Sequence, residues 1–177
     1  MDSMYKLMHK KLNKKGFTIL ELLVVVAIIA ILAVIAVPQF IGNIDKARVS
    51  GQIADCSSVS KALVMYNFDN SAFPADDETH GFVSLVTKVD EVNWNGPYID
   101  HVPDKNKWGG EFNYAVLTEK NEAVGLEAGQ VVIELTNVPE KQAERMDIEA
   151  DSGNGADKGV IRYTAADGKA TVYYVVK

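Results

Sequence analysis

Residues 14–21 read Lys-Lys-Gly-Phe-Thr-Ile-Leu-Glu, and the stretch that follows, from Leu22 to Ile44, contains no charged residue. That stretch consists almost entirely of Leu, Val, Ile and Ala. It is long enough to cross a bilayer as a helix, which takes about 20 apolar residues. Glu21 lies just inside its start, and a carboxylate at membrane depth costs roughly 2.5–3.5 kcal/mol at a helix centre, so it indicates a function. We therefore predict a membrane helix that carries one functional acid.

The charge of the chain is divided unevenly about this junction. Residues 1–16 hold five lysines and one aspartate, a net charge of +4, whereas the remainder holds 13 basic and 23 acidic residues, a net charge of −10. A lysine cluster directly before an apolar span stays on the cytoplasmic side of the membrane, so we expect the acidic part to be exported. An acidic surface repels phosphate, which argues against a nucleic-acid-binding protein.

The amino-terminal segment differs from an ordinary secretion signal. Such a signal has an apolar core of about 7–15 residues followed by a small-residue cleavage site. The apolar stretch here is longer, and no such site ends it before Pro38. A plain signal-anchor helix fits the length but leaves Glu21 and the Gly16–Phe17 junction unexplained. A cut at that junction would place a new amino terminus about one helical turn from Glu21.

The sequence Lys-Gly-Phe-Thr-Ile-Leu-Glu-Leu-Leu-Val-Val-Val-Ala-Ile-Ile-Ala-Ile-Leu-Ala, residues 15–33, resembles the class III signal of type IV pilins and pseudopilins. The resemblance covers residues 14–40. It includes Pro38, which stands where many pilins have a proline that kinks the helix.

This resemblance assigns roles to three residues. It implies that a prepilin peptidase cuts after Gly16 on the cytoplasmic side and methylates the new amino group of Phe17. It also implies that Glu21 pairs with the Phe17 amine of a neighbouring subunit in a filament. The alternative for Glu21 is that its side chain reaches interfacial water.

The junction and the apolar stretch divide the chain into three predicted segments. Residues 1–16 form a cleaved basic leader, residues 17–44 form a transmembrane and filament-core helix, and residues 45–177 form an exported globular domain. An amphipathic pattern continues the helix into that domain, to about Phe68, because apolar residues recur at spacings of three and four. The apolar positions are Val49, Ile53, Cys56, Val59, Leu63 and Tyr66, and the polar ones are Ser50, Gln52, Asp55, Ser57, Ser58 and Lys61.

Four segments with alternating apolar residues predict strands. They are residues 111–117, 130–136, 159–165 and 170–176, and a short helix is predicted at about 139–147. A second short helix, capped by Thr79, is an option for residues 79–89. The Asp167-Gly168 pair between the last two strands is a strong hairpin signal. We therefore predict an α+β fold, in which a long amino-terminal helix packs on an antiparallel sheet of about four strands. This arrangement also resembles the pilin fold.

The chain shows no motif of an enzyme. His80 and His101, the histidines after the leader, have no catalytic or metal-ligand spacing, and no phosphate-binding loop is present. We therefore expect no enzymatic activity and no cofactor.

One acidic, glycine-rich segment has two interpretations. Asp147, Asp151, Asn154 and Asp157 supply hard oxygen ligands at short spacing, which suits calcium. Their order departs from the EF-hand pattern, because Arg162 stands where the final Glu would be needed. We expect a solvated acidic turn, with a calcium site as the alternative.

The resemblance favours a structural function. We expect a subunit of a type IV pilus that polymerises through its hydrophobic helix into a surface filament for motility, adhesion or aggregation. The expected partners are other copies of the chain, the prepilin peptidase, the inner-membrane assembly machinery and, for the precursor, the cytoplasmic membrane. The mature protein would then lie in an extracellular pilus.

Two other interpretations remain open from the sequence. Residues 97–114, with Pro97, Trp108 and Gly109, resemble a stretch of the major pseudopilins, so a pseudopilin of a type II secretion or competence system is the alternative. An anchored domain that never polymerises is the other, and the motif around Phe17 argues against it. Many Gram-negative major pilins close their carboxyl-terminal region with a disulfide. The lone Cys56 departs from that pattern and favours a Gram-positive pilin.

Overall fold

The computed structural model describes residues 16–76, 81–89 and 93–177, and in these ranges it confirms the α+β fold. The predicted leader, apart from Gly16, and the predicted cap Thr79 lie outside the described residues. The elements follow in the order α1 (Ile19–Asn70), α2 (Val83–Val86), β1 (Phe112–Val116), a 3-10 turn (Glu122–Val124), β2 (Val131–Pro139), α3 (Glu140–Asp151), β3 (Ile161–Ala166) and β4 (Lys169–Val175).

The chain divides into two compact units with the boundary between Gly42 and Asn43, inside α1. In the first unit the large apolar side chains from Phe17 onward are all exposed, by 49% at the least. A helix that is apolar on every side normally lies inside a membrane or a large core. Among the described residues, α1 is the one helix that is long and apolar enough to span a membrane.

The second unit is built on a four-stranded sheet in the order β1-β2-β4-β3, with every neighbouring pair antiparallel. One row across its inner face aligns Tyr114, Ile133, Tyr174 and Ile161. That face shares one core with the buried stripe of α1. The stripe consists of Val49, Cys56, Val59, Ala62, Leu63 and Tyr66. The predicted packing of the sheet on the second half of the helix is therefore confirmed.

The β3–β4 hairpin has the turn that its sequence predicts. Asp167 and Gly168 have φ angles of 53° and 73°, and Ala166 pairs with Lys169. Positive φ at both central residues suits the right-handed twist of the flanking strands. The helix predicted before this hairpin is longer than expected, because α3 continues past Asp147 to Asp151 and ends where Ser152 adopts a φ of 72°.

Gln52 corrects the assignment of the polar face of α1. It was predicted to face water, yet it is fully buried. Its Oε1 accepts a hydrogen bond from the Lys107 backbone N at 2.9 Å, and its Nε2 donates to Cys56 Sγ at 3.6 Å. A buried amide is tolerated when both its ends have partners. Burial also raises the pKa of the Cys56 thiol to about 12, which fits a packing role for that residue.

Asn106 organises the turn that leads into the sheet. Its buried side chain accepts hydrogen bonds from the backbone N of Trp108 at 2.9 Å and of Gly110 at 3.1 Å. Its Nδ2 donates to the carbonyl oxygens of Glu111 at 3.2 Å and Thr136 at 2.7 Å. A Cβ at Gly110 would overlap the Thr136 carbonyl oxygen. Glycine is therefore required at position 110, because the backbone there passes too close to β2 for a side chain.

We expect Gly110→Ala to lower the free energy of unfolding by roughly 2 kcal/mol or more, because the added methyl group meets backbone rather than a movable side chain. Gly51→Ala is the matched control. That glycine lies inside α1, and its Cβ would meet only Lys107 Cε at 3.6 Å, an ordinary contact. The control should gain about 0.5–1 kcal/mol of helix stability. Urea unfolding of the detergent-solubilised chain, followed by tryptophan fluorescence, measures both. Equal midpoints for the two variants would contradict the close approach.

Candidate functional site at the amino end of the first helix

The first turn of α1 is closed by a capping box made of Thr18 and Glu21. Glu21 N donates to Thr18 Oγ1 at 3.2 Å, and Thr18 N donates to Glu21 Oε2 at 3.0 Å. The Thr18 hydroxyl also donates to Glu21 Oε2, at 3.0 Å. This reciprocal arrangement satisfies two of the backbone donors that a helix start leaves open. The Glu21 carboxylate therefore has two hydrogen bonds from its own chain.

The position of Glu21 on the helix adds an electrostatic contribution. The amino end of a helix carries a partial positive charge, which stabilises a nearby carboxylate by about 0.3–1 kcal/mol. The carboxylate is exposed in the single chain and has no ion-pair partner among the described residues. It is thus hydrogen-bonded but not neutralised, and a cation can still reach it.

Sequence reasoning missed the role of Thr18. It considered a neighbour's amine and interfacial water as partners for Glu21, whereas the structure shows a third partner three residues away. The signal was present, because Thr-x-x-Glu before an apolar run is the sequence pattern of a capping box.

The predicted cleavage junction lies outside the helix. Gly16 and Phe17 precede the first helical residue, Ile19, and Phe17 is 89% exposed. A Cβ built at Gly16 would meet no atom within 4 Å, so packing within the chain does not require glycine there. The peptide bond between Gly16 and Phe17 is accessible, and a peptidase can reach it without unwinding α1.

Pro38 lies inside α1, whose helical assignment continues through it. A proline at such a position removes one helical hydrogen bond. The kink that the resemblance implies at Pro38 stays a prediction.

Among the four calcium candidates, the structure brings Asp147 and Asp151 together on the last turn of α3. Asp147 Oδ2 accepts a hydrogen bond from Gly155 N at 3.3 Å, and Asp151 Oδ2 accepts from Val160 N at 2.6 Å and Ile161 N at 3.2 Å. Each carboxylate keeps a buried Oδ1 without a hydrogen-bond partner. Burial, followed by the adjacent Asp151, raises the pKa of the Asp147 carboxyl.

The other two candidates contribute differently. The Asn154 amide and the Asp151 carboxylate both lie against Gly159, whereas Asp157 is exposed and places its backbone carbonyl against Gly125. Within the described ranges, no group of three or more His, Cys, Asp or Glu side chains is arranged to hold a metal ion. The calcium alternative stays a prediction. It now rests on the Asp147 and Asp151 carboxylates and no longer on all four candidates.

We expect Asp147→Asn to unfold at the same or a higher temperature than the wild type near pH 7. An amide keeps an acceptor for Gly155 N and offers a donor to the Asp151 carboxylate. Asp147→Ala should cost about 1–3 kcal/mol, because it leaves polar groups without partners. Thermal unfolding in EDTA measures both, with the exposed Asp157→Asn as the control.

The pH dependence of these thermal unfolding midpoints tests the interaction between the Asp147 and Asp151 carboxyl groups. The pKa of Asp147 is raised from its ordinary value of 3.8, so the folded chain holds that proton more tightly than the unfolded chain. The associated stability is present below the ordinary pKa and is lost as the pH rises through the folded-state pKa. Asp147→Asn should flatten this dependence, and an unchanged profile would contradict the assignment. A calcium-induced rise in the wild-type midpoint that Asp147→Asn abolishes would establish the calcium alternative.

Comparison with known protein families matches two segments of the chain. Residues 11–37 match the family described as the prokaryotic N-terminal methylation motif. Residues 43–125 match the family described as PilW, C-terminal. The first match contains the junction, the capping box and most of the apolar stretch. The second contains the amphipathic half of α1 and the turn around Asn106.

Curated relatives of the chain carry the name type II secretion system core protein G. The protein of this name from Vibrio cholerae serotype O1 is 41% identical over 110 residues, which is 59% of this chain and 73% of the relative. Those from Klebsiella michiganensis and Escherichia coli K12 are each 35% identical, and the matches cover 74% and 70% of those relatives. The chain therefore belongs to the family of type IV pilins and pseudopilins, in which its curated relatives are the core G proteins of type II secretion.

Proposed function

We propose that the chain is a pseudopilin, a structural subunit that polymerises through α1 into the short fibre of a type II secretion system. The observation that carries this proposal is the 41% identity to the Vibrio cholerae core protein G, over nearly three quarters of that protein. The sequence pattern alone favours a subunit of a type IV pilus. The relatives give that preference no specific support and favour the alternative stated above.

Processing is the first step of the proposed mechanism. The prepilin peptidase would cut the accessible bond between Gly16 and Phe17 and methylate the new amine, as the methylation motif over residues 11–37 suggests. Removal of residues 1–16 takes away five lysines. The cytoplasmic end of the helix would then carry one positive amine, about one helical turn from Glu21.

Assembly is the second step, and it moves α1 from lipid to protein. The apolar side chains from Phe17 to Val37 are exposed in the single chain, so they need a cover in both states. Lipid covers them in the precursor, and other copies of α1 cover them in the fibre. Neither state leaves this surface in water, which would be unfavourable by roughly 25 cal/mol per Å².

Glu21 would set the position of each subunit along the fibre. Before assembly its carboxylate has two hydrogen bonds from Thr18. In the fibre, the positive Phe17 amine of a neighbouring copy would neutralise the carboxylate while the capping box stays intact. Removing one partner of a buried ion pair leaves an uncompensated charge, which costs about 3–5 kcal/mol.

The role of the second unit in this proposal is structural, not catalytic. Its sheet and α3 cover one side of the amphipathic half of α1 with a single core. The precursor would lie in the cytoplasmic membrane with its amino terminus inside, and this unit would lie on the far side. The acidic charge of the exported part keeps the assembled surface solvated.

Deletion of the gene in the bacterium that produces the chain tests the function. We expect export of the folded enzymes that use type II secretion to stop, and the wild-type gene to restore it. Electron microscopy with antibody to residues 70–177 should show short fibres on overproduction. Normal secretion together with the loss of long surface filaments would instead establish a pilus subunit.

The processing step has its own measurement. Mass spectrometry of the assembled protein should find Phe17 at the amino terminus with one added methyl group. A chain that retains Met1, or one that is cut after Val37, would contradict the assignment. A catalytically inactive prepilin peptidase is the control, and it should leave the leader attached.

Substitutions at Glu21 and Thr18 separate charge from capping. Glu21→Ala should insert in the membrane and be cleaved but fail to form fibres, because the neighbouring amine loses its partner. Thr18→Val should lose about 1 kcal/mol of helix-start stability, and Thr18→Ser should keep it because the hydroxyl remains. Fibre yield and the cleaved fraction on immunoblots measure all three. Wild-type yield from Glu21→Ala would show that the charge pair is dispensable.

A further inference from the structure

Part of α1 in the second unit turns large apolar side chains toward solvent. Lys61, Val64, Met65 and Phe68 follow one another at helical spacing on one face, and we name them the outer strip. Val64 is 39%, Met65 57% and Phe68 84% exposed, whereas Leu63, on the opposite face, is fully buried.

The outer strip stands out against the rest of its unit. In the described part of residues 43–177, the large apolar side chains that are exposed are Ile44, Val64, Met65, Phe68, Val83 and Ile148. Half of them are neighbours on this one face, and the others are scattered. Exposed apolar residues that cluster and adjoin polar groups mark interaction surfaces, whereas single ones are ordinary.

The charges on this face have one sign. Lys61 is exposed, and no carboxylate lies within ion-pair distance of it in the described part of the chain. Lys46, six residues before the buried Gln52, is also exposed and forms no ion pair with a described residue. Two of the three acids of this half of α1 bind other elements, since Asp55 pairs with Lys107 at 2.6 Å and Asp69 accepts from the Tyr98 hydroxyl at 2.9 Å; the third, Asp45, is partly buried.

The remainder of the chain has the opposite sign. Residues 71–177 contain 10 basic and 19 acidic residues, a net charge of −9. One molecule therefore offers an apolar helix face that carries Lys61 and, in residues 71–177, an excess of carboxylates that belong to other elements. Opposite potentials on two surfaces steer their association and fix its orientation.

We infer that the outer strip of one subunit docks on the acidic surface of residues 71–177 of a second copy. Lys61 pairs with a carboxylate of that copy, and Val64, Met65 and Phe68 are removed from water. The strip and its acceptor are different surfaces, so the contact is heterologous. Such a contact repeats without closing into a dimer and generates an open helical fibre. The inference rests on the proposed function, because it names the surface by which the exported units of a pseudopilus meet.

Variants of the full chain test this contact in cells that carry the secretion apparatus. Phe68→Ser and Lys61→Glu should each reduce fibre yield by about tenfold or more, the change that 1.4 kcal/mol per subunit contact produces. Both side chains are exposed, so membrane level and trypsin resistance should match the wild type. The matched controls keep the chemistry of the same two positions, since Lys61→Arg retains the positive charge and Phe68→Leu retains an exposed apolar side chain. Both controls should assemble normally.

Carbodiimide cross-linking of wild-type fibres identifies the partner. It should give a species of doubled mass in which Lys61 is joined to an Asp or Glu between residues 71 and 177, and Lys61→Gln should lack that link. Non-assembling Glu21→Ala should lack it too. A double variant exchanges the two charges: it combines Lys61→Glu with a lysine at the position of the cross-linked acid. This variant should form fibres again.

The possible outcomes distinguish the docking contact from the proposed pseudopilin function. If the wild type forms fibres and Phe68→Ser and Lys61→Glu form them in undiminished yield, the docking contact is overturned and the pseudopilin function stands. A cross-link from Lys61 only to another component of the apparatus would also overturn it. A wild-type chain that forms no fibre and is not needed for secretion would overturn both.

Discussion

The apolar surface of α1 must be covered, and the rest of the molecule depends on that constraint. From Ile19 to Val37 the helix is apolar on all sides apart from Glu21, and none of the described residues of its own unit covers it. A lipid bilayer and a bundle of identical helices are the two environments that satisfy such a surface. In the proposed function, the lysine-rich leader, the cleavage junction and the exported unit would each serve the passage from the first environment to the second. Function therefore follows from a surface that the single chain cannot bury.

Glu21, the one charged side chain between Phe17 and Val37, is stabilised by groups of its own chain. Thr18 binds the Glu21 carboxylate through its backbone N and its hydroxyl, and the helix dipole adds to that stabilisation. These contacts neutralise nothing, so the carboxylate remains available to a cation. The chain thus keeps a hydrogen-bonded acid in an apolar segment without using up its charge.

Much of the fold could be predicted from the sequence, because periodicity and turn chemistry are local signals. The alternation of the four strands and the Asp167-Gly168 turn have no competing interpretation. Gln52 could not be placed, because its burial depends on the Lys107 amide, 55 positions away. The end of α3 was missed because the conformation of Ser152 and the loop bonds of Asp151 are tertiary features. The choice between a pilus and a pseudopilus could not be made from the sequence for another reason, since pilins and pseudopilins share the apolar helix and its junction.

The hydrogen bonds of Gln52 and Asn106 affect how the second unit responds to a mechanical load on α1. Gln52 binds the backbone of Lys107, Lys107 pairs with Asp55, and Asn106 ties the same turn to Thr136 of β2. These bonds attach the turn before the sheet to one turn of α1, between Gln52 and Asp55, and to β2. A load along the helix axis would therefore act on these bonds together in shear. In the proposed fibre, a subunit built in this way would carry thrust or tension while residues 43–177 stay folded.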